Sequence, residues 1–162
     1  MPTPSDFQIR RLGAGDAAAM RELLAVFGAA FEEPETYGAA QPDDAYLQRL
    51  LSRDHFIALV ALQQGRVVGG LAAYELEKFE QARSEVYIYD LAVAEAQRRQ
   101  GIATALIAEV RRVAALRGAW VVYVQADTGD DPAIALYSKL GVREEVLHFD
   151  IPVRPVTPAA RR

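Results

Sequence analysis

A basic turn containing a glycine separates a strand pattern from a helix pattern near the middle of the chain. The strand pattern ends Tyr89-Asp90-Leu91-Ala92-Val93, and the turn and helix start read Arg98-Arg99-Gln100-Gly101-Ile102-Ala103-Thr104. Backbone N–H groups at a helix start have no acceptor within the helix and carry the positive end of its dipole, so this turn can hold a pyrophosphate. The two arginines add charge, the glycine lets the backbone approach the phosphates, and the alanine keeps the next helical turn small.

The residues of this turn do not match the common nucleotide-binding loops. It lacks the Gly-Lys-Ser/Thr ending of a nucleotide P-loop and the three spaced glycines of a dinucleotide fold. The simplest alternative is a hinge at Gly101 flanked by solvated arginines. The residues of the turn alone leave both a phosphate site and a solvated hinge open.

Asp90 is the residue of this segment with the strongest potential for chemistry. It lies within an otherwise apolar strand pattern, where an aspartate is disfavoured, and this strand precedes the basic turn. This position favours a functional carboxylate. The alternative is a buried carboxylate that pairs with an arginine or caps a backbone group.

The elements before this segment follow from periodicity. Phe7 to Arg11 alternates as a strand, and Asp16 can cap a helix with an apolar stripe, Met20, Leu23, Leu24, Phe27 and Phe31. Residues 34–41 form a predicted loop, and a short helix follows Pro42 and Asp43. Residues 56–62 and 67–76 are apolar runs around Gln63-Gln64-Gly65-Arg66, which predicts a hairpin with a tight turn.

The later elements alternate between strand and helix. Residues 85–93 predict a strand, 101–117 a helix that stops at Gly118, and 120–126 the next strand. Asp131-Pro132 opens a short helix that ends at Gly141, and Glu145 to Ile151 predicts a last strand. The order predicts an α/β fold with a mixed, mostly antiparallel central sheet covered by helices.

Composition narrows the class of protein. The 162 residues suit a single domain, and the absence of cysteine excludes disulfides, thiolate metal sites and a cysteine nucleophile. The net charge of −4 argues against a nucleic-acid partner and mildly favours a cationic ligand. The first residues do not form a leader pattern, and no apolar stretch is long enough to cross a bilayer, so we expect a cytoplasmic protein without a membrane partner.

Two segments carry a resemblance to a known superfamily. Arg98-x-x-Gly101-x-Ala103 after an apolar strand resembles the acyl-coenzyme A loop of the GNAT N-acetyltransferases, and residues 130–142 resemble the later helix of that family, with Tyr137 before Lys-Leu-Gly. The resemblance implies a GNAT domain over residues 7–151, with flexible tails at 1–6 and 152–162. Asp130 departs from the asparagine that the family often has there.

A closer resemblance is to the small aminoglycoside 3-N-acetyltransferases of the gentamicin type. It rests on residues 78–81, 83–85, 87–93, 98–106, 123–127 and 143–146. It implies acetylation of the 3-amino group of a polycationic aminoglycoside by acetyl-coenzyme A (acetyl-CoA), which would confer antibiotic resistance. The alternatives are a GNAT enzyme acting on a polyamine or a protein N-terminus, and a non-catalytic acetyl-CoA-binding module.

The resemblance also implies roles for individual residues. An amine must lose its proton before it attacks a thioester, and Asp90 is the expected base. Tyr137 is the expected acid for the leaving thiolate, and a backbone N–H near Leu91 the expected oxyanion donor. The remaining cofactor-binding residues are expected to be Ala92, Val93, Arg98, Arg99, Gln100, Gly101, Ile102, Ala103 and Thr104.

Acidic residues near these segments are expected to hold the cationic substrate. They are Glu80, Asp127, Glu144, Glu145 and Asp150. With only two histidines, His55 and His148, and no cysteine, a metal site is not expected. An edge strand and the last strand could pair between two copies, which makes a homodimer plausible.

Overall fold

The computed structural model describes residues 6–155 of the 162-residue chain. These residues form two compact units that divide between Asp127 and Thr128. The predicted tails at 1–6 and 152–162 lie mostly outside the described residues. No described helix is both long enough and apolar enough to cross a membrane.

The first unit is an α/β structure around a five-stranded sheet. The sheet has the order β1-β2-β3-β4-β5, in which β1 to β4 are antiparallel and β5 runs parallel to β4. The strands are β1 (Gln8–Arg11), β2 (Phe56–Gln63), β3 (Arg66–Glu77), β4 (Ser84–Val93) and β5 (Ala119–Val124). The helices are α1 (Ala17–Ala30), α2 (Pro34–Gly38), α3 (Asp44–Leu51) and α4 (Ile102–Leu116), with a 3-10 turn at Glu95–Gln97.

Helices cover both faces of the sheet, because successive side chains of its strands point alternately into two apolar cores. Phe56, Ala58 and Val60 of β2 pack with buried residues of α1 and α3, such as Leu23 and Leu47. The residues between them in β2 point to the opposite face. The buried residues of α4, which contacts all of the first four strands, are Ile102, Leu106, Ile107, Val110, Val113 and Ala114.

The predicted hairpin is confirmed between β2 and β3. Gln64 and Gly65 form its two-residue turn with φ angles of 52° and 76°. Positive φ at both positions matches the right-handed twist of the flanking strands, which explains why a glycine lies at the second position.

Two local expectations for the N-terminal half are wrong. Residues 34–41 are not entirely a loop, because α2 covers Pro34–Gly38. Asp16 does occupy the N-cap position of α1, but its carboxylate accepts hydrogen bonds from the Gly13 N–H at 2.7 Å and from Arg10 at 2.9 Å instead of from the helix.

The second unit contains α5 (Asp131–Leu140) and the segment after it. Asp130 caps α5 through a hydrogen bond from the Ala133 N–H at 3.3 Å. The predicted last strand at Glu145 to Ile151 is wrong, since residues 142–155 contain no regular secondary structure. A strand needs a partner ladder, and the described ladders all lie between β1 and β5. The apolar side chains of residues 145–151 are largely exposed, with exposed fractions of 84 % for Leu147, 77 % for Phe149 and 86 % for Ile151.

Candidate active site

A β-bulge in β4 determines where the Asp90 side chain points. Ala73 of β3 pairs with Ile88, but its neighbour Ala72 pairs with Asp90, so Tyr89 is an extra residue without a partner on β3. Adjacent residues of β3 point to opposite faces, and therefore Ile88 and Asp90 do so too. In a regular strand they would share a face. The bulge thus moves Asp90 away from the α4 core to the face that carries Ala72 and Tyr74.

On that face the carboxylate of Asp90 meets helix α2. The Tyr37 hydroxyl donates a hydrogen bond to Asp90 Oδ2 at 2.9 Å. Burial raises the pKa of Asp90 above its ordinary value, the Tyr37 hydrogen bond acts against this, and the nearby Glu33 carboxylate raises the pKa further. Burial, followed by the Asp90 carboxylate, raises the pKa of Tyr37, which therefore remains a protonated donor.

Strands β4 and β5 separate directly beside Asp90. Their parallel register runs from Ser84–Ala119 to Ile88–Val124 and ends there, whereas β4 continues to Val93 along β3 alone. The edge of β4 from Tyr89 onward is therefore unpaired on the β5 side. Leu91, Ala92 and Val93, three of the expected cofactor-binding residues, form this free edge.

The basic turn after β4 joins the free edge to α4. The Arg98 Nε donates to the Val93 carbonyl at 3.1 Å, so this arginine also fixes the backbone of the turn. Arg99 and Gly101 adopt positive φ angles of 64° and 82°. An added Cβ at Gly101 would meet no atom within 4 Å, so its backbone conformation, not space within the protein, is what favours glycine.

The start of α4 is open. Gly101 provides no side-chain cap, and the first turn contains no acidic residue. Ile102 is buried and anchors the helix, whereas Thr104 is exposed. The first N–H groups of α4 are thus free of side-chain caps and lie next to Arg98 and Arg99, as a pyrophosphate site requires.

Tyr137 lies on α5 in the second unit. Its ring is half-buried, and burial, with a smaller contribution from the Asp130 carboxylate, raises the pKa of its hydroxyl to about 12. The phenol is therefore protonated at neutral pH, as a proton donor must be.

The five expected substrate-binding acids are distributed over three segments. Glu80 lies in the β3–β4 turn, where its Oε1 is 3.4 Å from the Lys78 Nζ. A hydrogen bond from the Glu80 backbone N–H, followed by the contact with Lys78, lowers the pKa of this exposed carboxyl. Asp127 follows β5, and the other three lie after α5. Glu145 pairs with Arg143 at 2.9 Å and Asp150 contacts His148 at 2.9 Å, while Glu144 is exposed.

Sequence reasoning missed two residues of this site, Tyr37 and Glu33. Tyr37 fell in the middle of the predicted loop at 34–41, which has no motif of its own, and Glu33 directly precedes this loop. The available signal was local: an aromatic ring six residues after Phe31, within a segment containing three glutamates, Glu32, Glu33 and Glu35. Within residues 6–155, no group of three or more histidine, aspartate or glutamate side chains is arranged to hold a metal ion.

The sheet is mixed, its fourth and fifth strands separate, and β4 leads through a basic turn to an open helix start. Together these features define the class of GNAT-like acyltransferases. The family model of the acetyltransferase (GNAT) family matches residues 19–142. The chain belongs to the acetyltransferase (GNAT) family and is an acetyltransferase. Its fold class, α/β with a mostly antiparallel central sheet, is the one predicted from the sequence. A search of curated protein sequences found no match.

Solved structures similar to this chain include two aminoglycoside acetyltransferases from uncultured soil metagenomic samples. One is 62 % identical, with a TM-score of 0.90 over 92 % of this chain and 99 % of that chain. The other, solved in complex with sisomicin, is 35 % identical, with a TM-score of 0.85 over 91 % and 97 %. AAC(6′)-Iy, bound to the bisubstrate analogue CoA-S-monomethyl-acetylneamine, is 20 % identical with a TM-score of 0.72 over 93 % and 100 %, and shares the fold.

Proposed function

We propose that this protein uses acetyl-CoA to acetylate an amino group of an aminoglycoside antibiotic. The identity of 62 % and 35 % to two aminoglycoside acetyltransferases supports the substrate class. The observation that carries the catalytic assignment is the bulge at Tyr89. It places the half-buried Asp90 carboxylate beside the free edge of β4, the strand that leads through the basic turn to the open start of α4.

The coenzyme fits the residues present on chemical grounds. The open N–H groups of α4, with Arg98, Arg99 and the backbone of Gln100 to Thr104, match a pyrophosphate. The free edge at Leu91 to Val93 offers backbone hydrogen bonds to an extended amide-containing arm. When bound, acetyl-CoA supplies the acetyl thioester.

Asp90 acts as the general base in this proposal. The substrate ammonium gives one proton to the carboxylate, which passes it to solvent, and the amine nitrogen bonds to the acetyl carbon. As the carbon–sulfur bond breaks, the nitrogen gives its second proton to Asp90 and a neutral amide remains. Burial raises the pKa of Asp90, which brings it closer to that of an amine and makes the carboxylate a better proton acceptor. A backbone N–H near Leu91 stabilises the charge that develops on the acetyl oxygen.

Tyr137 donates to the departing sulfur. With a pKa of about 12, it holds its proton more tightly than an ordinary thiol, whose pKa is about 8.5. A hydrogen bond to the thiolate is therefore its first contribution, and solvent completes the protonation. Asp90 also releases its proton to solvent, so the protonation state of the protein is the same before and after the reaction.

The 3-amino group is our proposed site of acetylation, on the basis of the resemblance to the 3-N enzymes. The ammonium groups of the substrate would contact Glu80, Asp127, Glu144, Glu145 and Asp150. Glu80 and Glu145 already have cationic neighbours at the surface. Such exposed pairs are weak because solvent screens them, so a polycation can replace them.

We infer that the chain forms a homodimer. Leu147, Phe149 and Ile151 alternate in a strand-like pattern and are exposed, and β5 lies at the edge of its sheet with no buried residue. A segment of this kind can add a strand to such an edge in a second copy. Light scattering should give about twice the chain mass of 17.8 kDa; the mass of a single chain would contradict the inference.

Incubation with acetyl-CoA and sisomicin or gentamicin tests the function. We expect thiol release and a product with one acetyl group, which NMR of the product assigns to the 3-amino or the 6′-amino group. Spermidine and a peptide with a free N-terminus test the alternative amines. Coenzyme binding without thiol release from any of these amines would favour a non-catalytic module.

Asp90→Asn sharpens this assay because it keeps the shape of the side chain and removes its basicity. Turnover should fall about 100- to 10,000-fold, whereas the affinity for coenzyme A should not change. Raising the pH should restore part of the rate, since more of the amine is then already deprotonated. A structural ion-pair role predicts instead a lower melting temperature and weaker coenzyme binding, and a stable variant with full turnover would exclude Asp90 as the base.

A further inference from the structure

Helix α2 brings to Asp90 a side chain that the proposed reaction does not use as acid or base. We propose that Tyr37 is a positioning residue, which fixes one oxygen of the Asp90 carboxylate and so orients the other toward the substrate amine. The proposal rests on the proposed function, and it assigns a role to a segment for which the sequence predicted only a loop.

The hydrogen bond engages one defined oxygen. Tyr37 donates to Oδ2 of Asp90 at 2.9 Å, across 53 residues of sequence. A carboxylate on a short side chain rotates about one bond once its backbone is fixed, and a bond to Oδ2 restricts this rotation. We assign Oδ1 to the amine, because one oxygen can then bind the donor while the other accepts the proton.

The Tyr37 ring is itself held from several sides. It packs edge-on against Phe27, with 5.9 Å between ring centroids, and against Phe31 at 5.7 Å. The Gln41 side chain donates to the Tyr37 carbonyl at 3.0 Å, and Arg21 in turn holds Gln41 at 2.9 Å. A donor fixed in this way does not need to be ordered again when the substrate binds.

Gly28 of α1 gives Tyr37 room at the contact between α1 and α2. A Cβ at this position would lie 3.3 Å from the Tyr37 Cβ, which is a tight contact, and 3.4 Å from the Pro34 Cα. Glycine within a helix destabilises it by about 0.5–1 kcal/mol relative to alanine. A poor helix former therefore lies where α2 packs against α1, and this packing helps the Tyr37 hydroxyl reach Asp90.

The groups that face Asp90 make opposite electrostatic contributions. The Tyr37 donor stabilises the carboxylate, and the Glu33 carboxylate destabilises it. Tyr74 on β3 and Tyr87 on β4, whose pKa values burial raises, also lie near this site as neutral phenols. Tyr89 packs edge-on against both rings. Among the described residues, no cationic side chain lowers the pKa of Asp90, which leaves its charge available to the substrate ammonium.

Substitutions of Tyr37 and Glu33 should therefore shift the pKa of Asp90 in opposite directions. Asp90 must be ionised to accept a proton, so activity rises with pH through its pKa. Tyr37→Phe removes the donor, and the acidic limb of the kcat/KM profile should move to higher pH, with kcat reduced about 10-fold. Glu33→Gln removes the neighbouring charge, and the same limb should move to lower pH.

The matched control is Tyr46→Phe, which makes the same change on an exposed ring of α3 and should leave the acidic limb in place. Carbon-13 NMR titration of the Asp90 carboxyl in the free protein provides a readout that needs no substrate. It should show the same opposite shifts, and melting temperatures should confirm that each variant folds.

These outcomes separate the positioning role from the proposed function. Opposite NMR shifts without acetylation of any aminoglycoside would support the contact to Asp90 and contradict the proposed function. Wild-type acetylation with an unmoved Asp90 titration in both variants would overturn the positioning role alone. Shifts in the same direction, or an equal shift in Tyr46→Phe, would also overturn it.

Discussion

The start of α4 differs from the starts of the other helices in the described part of the chain. Helices α1, α2, α3 and α5 each have an acidic residue at the N-cap position, respectively Asp16, Glu33, Asp43 and Asp130. Helix α4 has Gly101 there, preceded by two arginines and followed by a first turn without an acid. One protein thus contains both kinds of helix start.

The comparison with α3 shows what each kind does. The Asp43 carboxylate accepts the Tyr46 N–H at 2.8 Å, so the start of α3 is satisfied within the chain. At α4 the same N–H groups and the same dipole have no side-chain partner and lie among positive charges. A capped start stabilises the fold, whereas an open start at a basic turn keeps its binding capacity for an anion, here the proposed pyrophosphate.

Thr104→Glu should produce the largest effect, because it places an acid in the first turn of α4, as in α2, α3 and α5. A carboxylate in the first turn would stabilise the free helix by about 0.3–1 kcal/mol. It would also repel the pyrophosphate, and we expect coenzyme A to bind about 10- to 100-fold more weakly. Calorimetric titration and melting curves measure the two effects.

Thr104→Gln is the matched control for this substitution, since it has the length of glutamate without its charge. It should bind coenzyme A within about threefold of the wild-type protein. Equal affinity in the glutamate variant and the wild-type protein would mean that the pyrophosphate does not bind at this helix start.

Asp43→Ala should produce a smaller effect of the opposite kind. Loss of this cap should lower the free energy of unfolding by about 1 kcal/mol and the melting temperature by about 2–4 °C. The affinity for coenzyme A should not change, because α3 does not form the proposed cofactor site. Asp43→Asn should retain most of the stability, and a loss as large as that in the alanine variant would mean that charge, not the hydrogen bond, stabilises α3.

The elements with local signals were predictable from the sequence. The β2–β3 hairpin followed from two apolar runs around Gln64 and Gly65, and α4 from its apolar stripe after Gly101. The strand that carries Asp90 was also predictable, because it is an apolar run that ends before the basic turn. Each of these features depends on residues that are near one another in the sequence.

Features that depend on tertiary contacts were not predictable in the same way. A five-residue helix such as α2 is too short to be stable alone, and the packing of Tyr37 against Phe27 stabilises it. The bulge at Tyr89 depends on the register with β3, which a strand pattern does not reveal. The residues after α5 alternate like a strand, yet such a pattern forms a strand only where a ladder partner exists.

If the coenzyme binds at the open start of α4, its concentration also affects the fraction of the protein that is folded. A ligand that binds only the folded state stabilises it by RT ln(1 + [L]/Kd), about 2.7 kcal/mol at a hundredfold excess over Kd. Acetyl-CoA and the released coenzyme A carry the same pyrophosphate, so the substrate and the product should protect the protein to a similar extent. The total coenzyme pool, independent of how much of it is acetylated, would then determine how often this protein unfolds and becomes accessible to proteases.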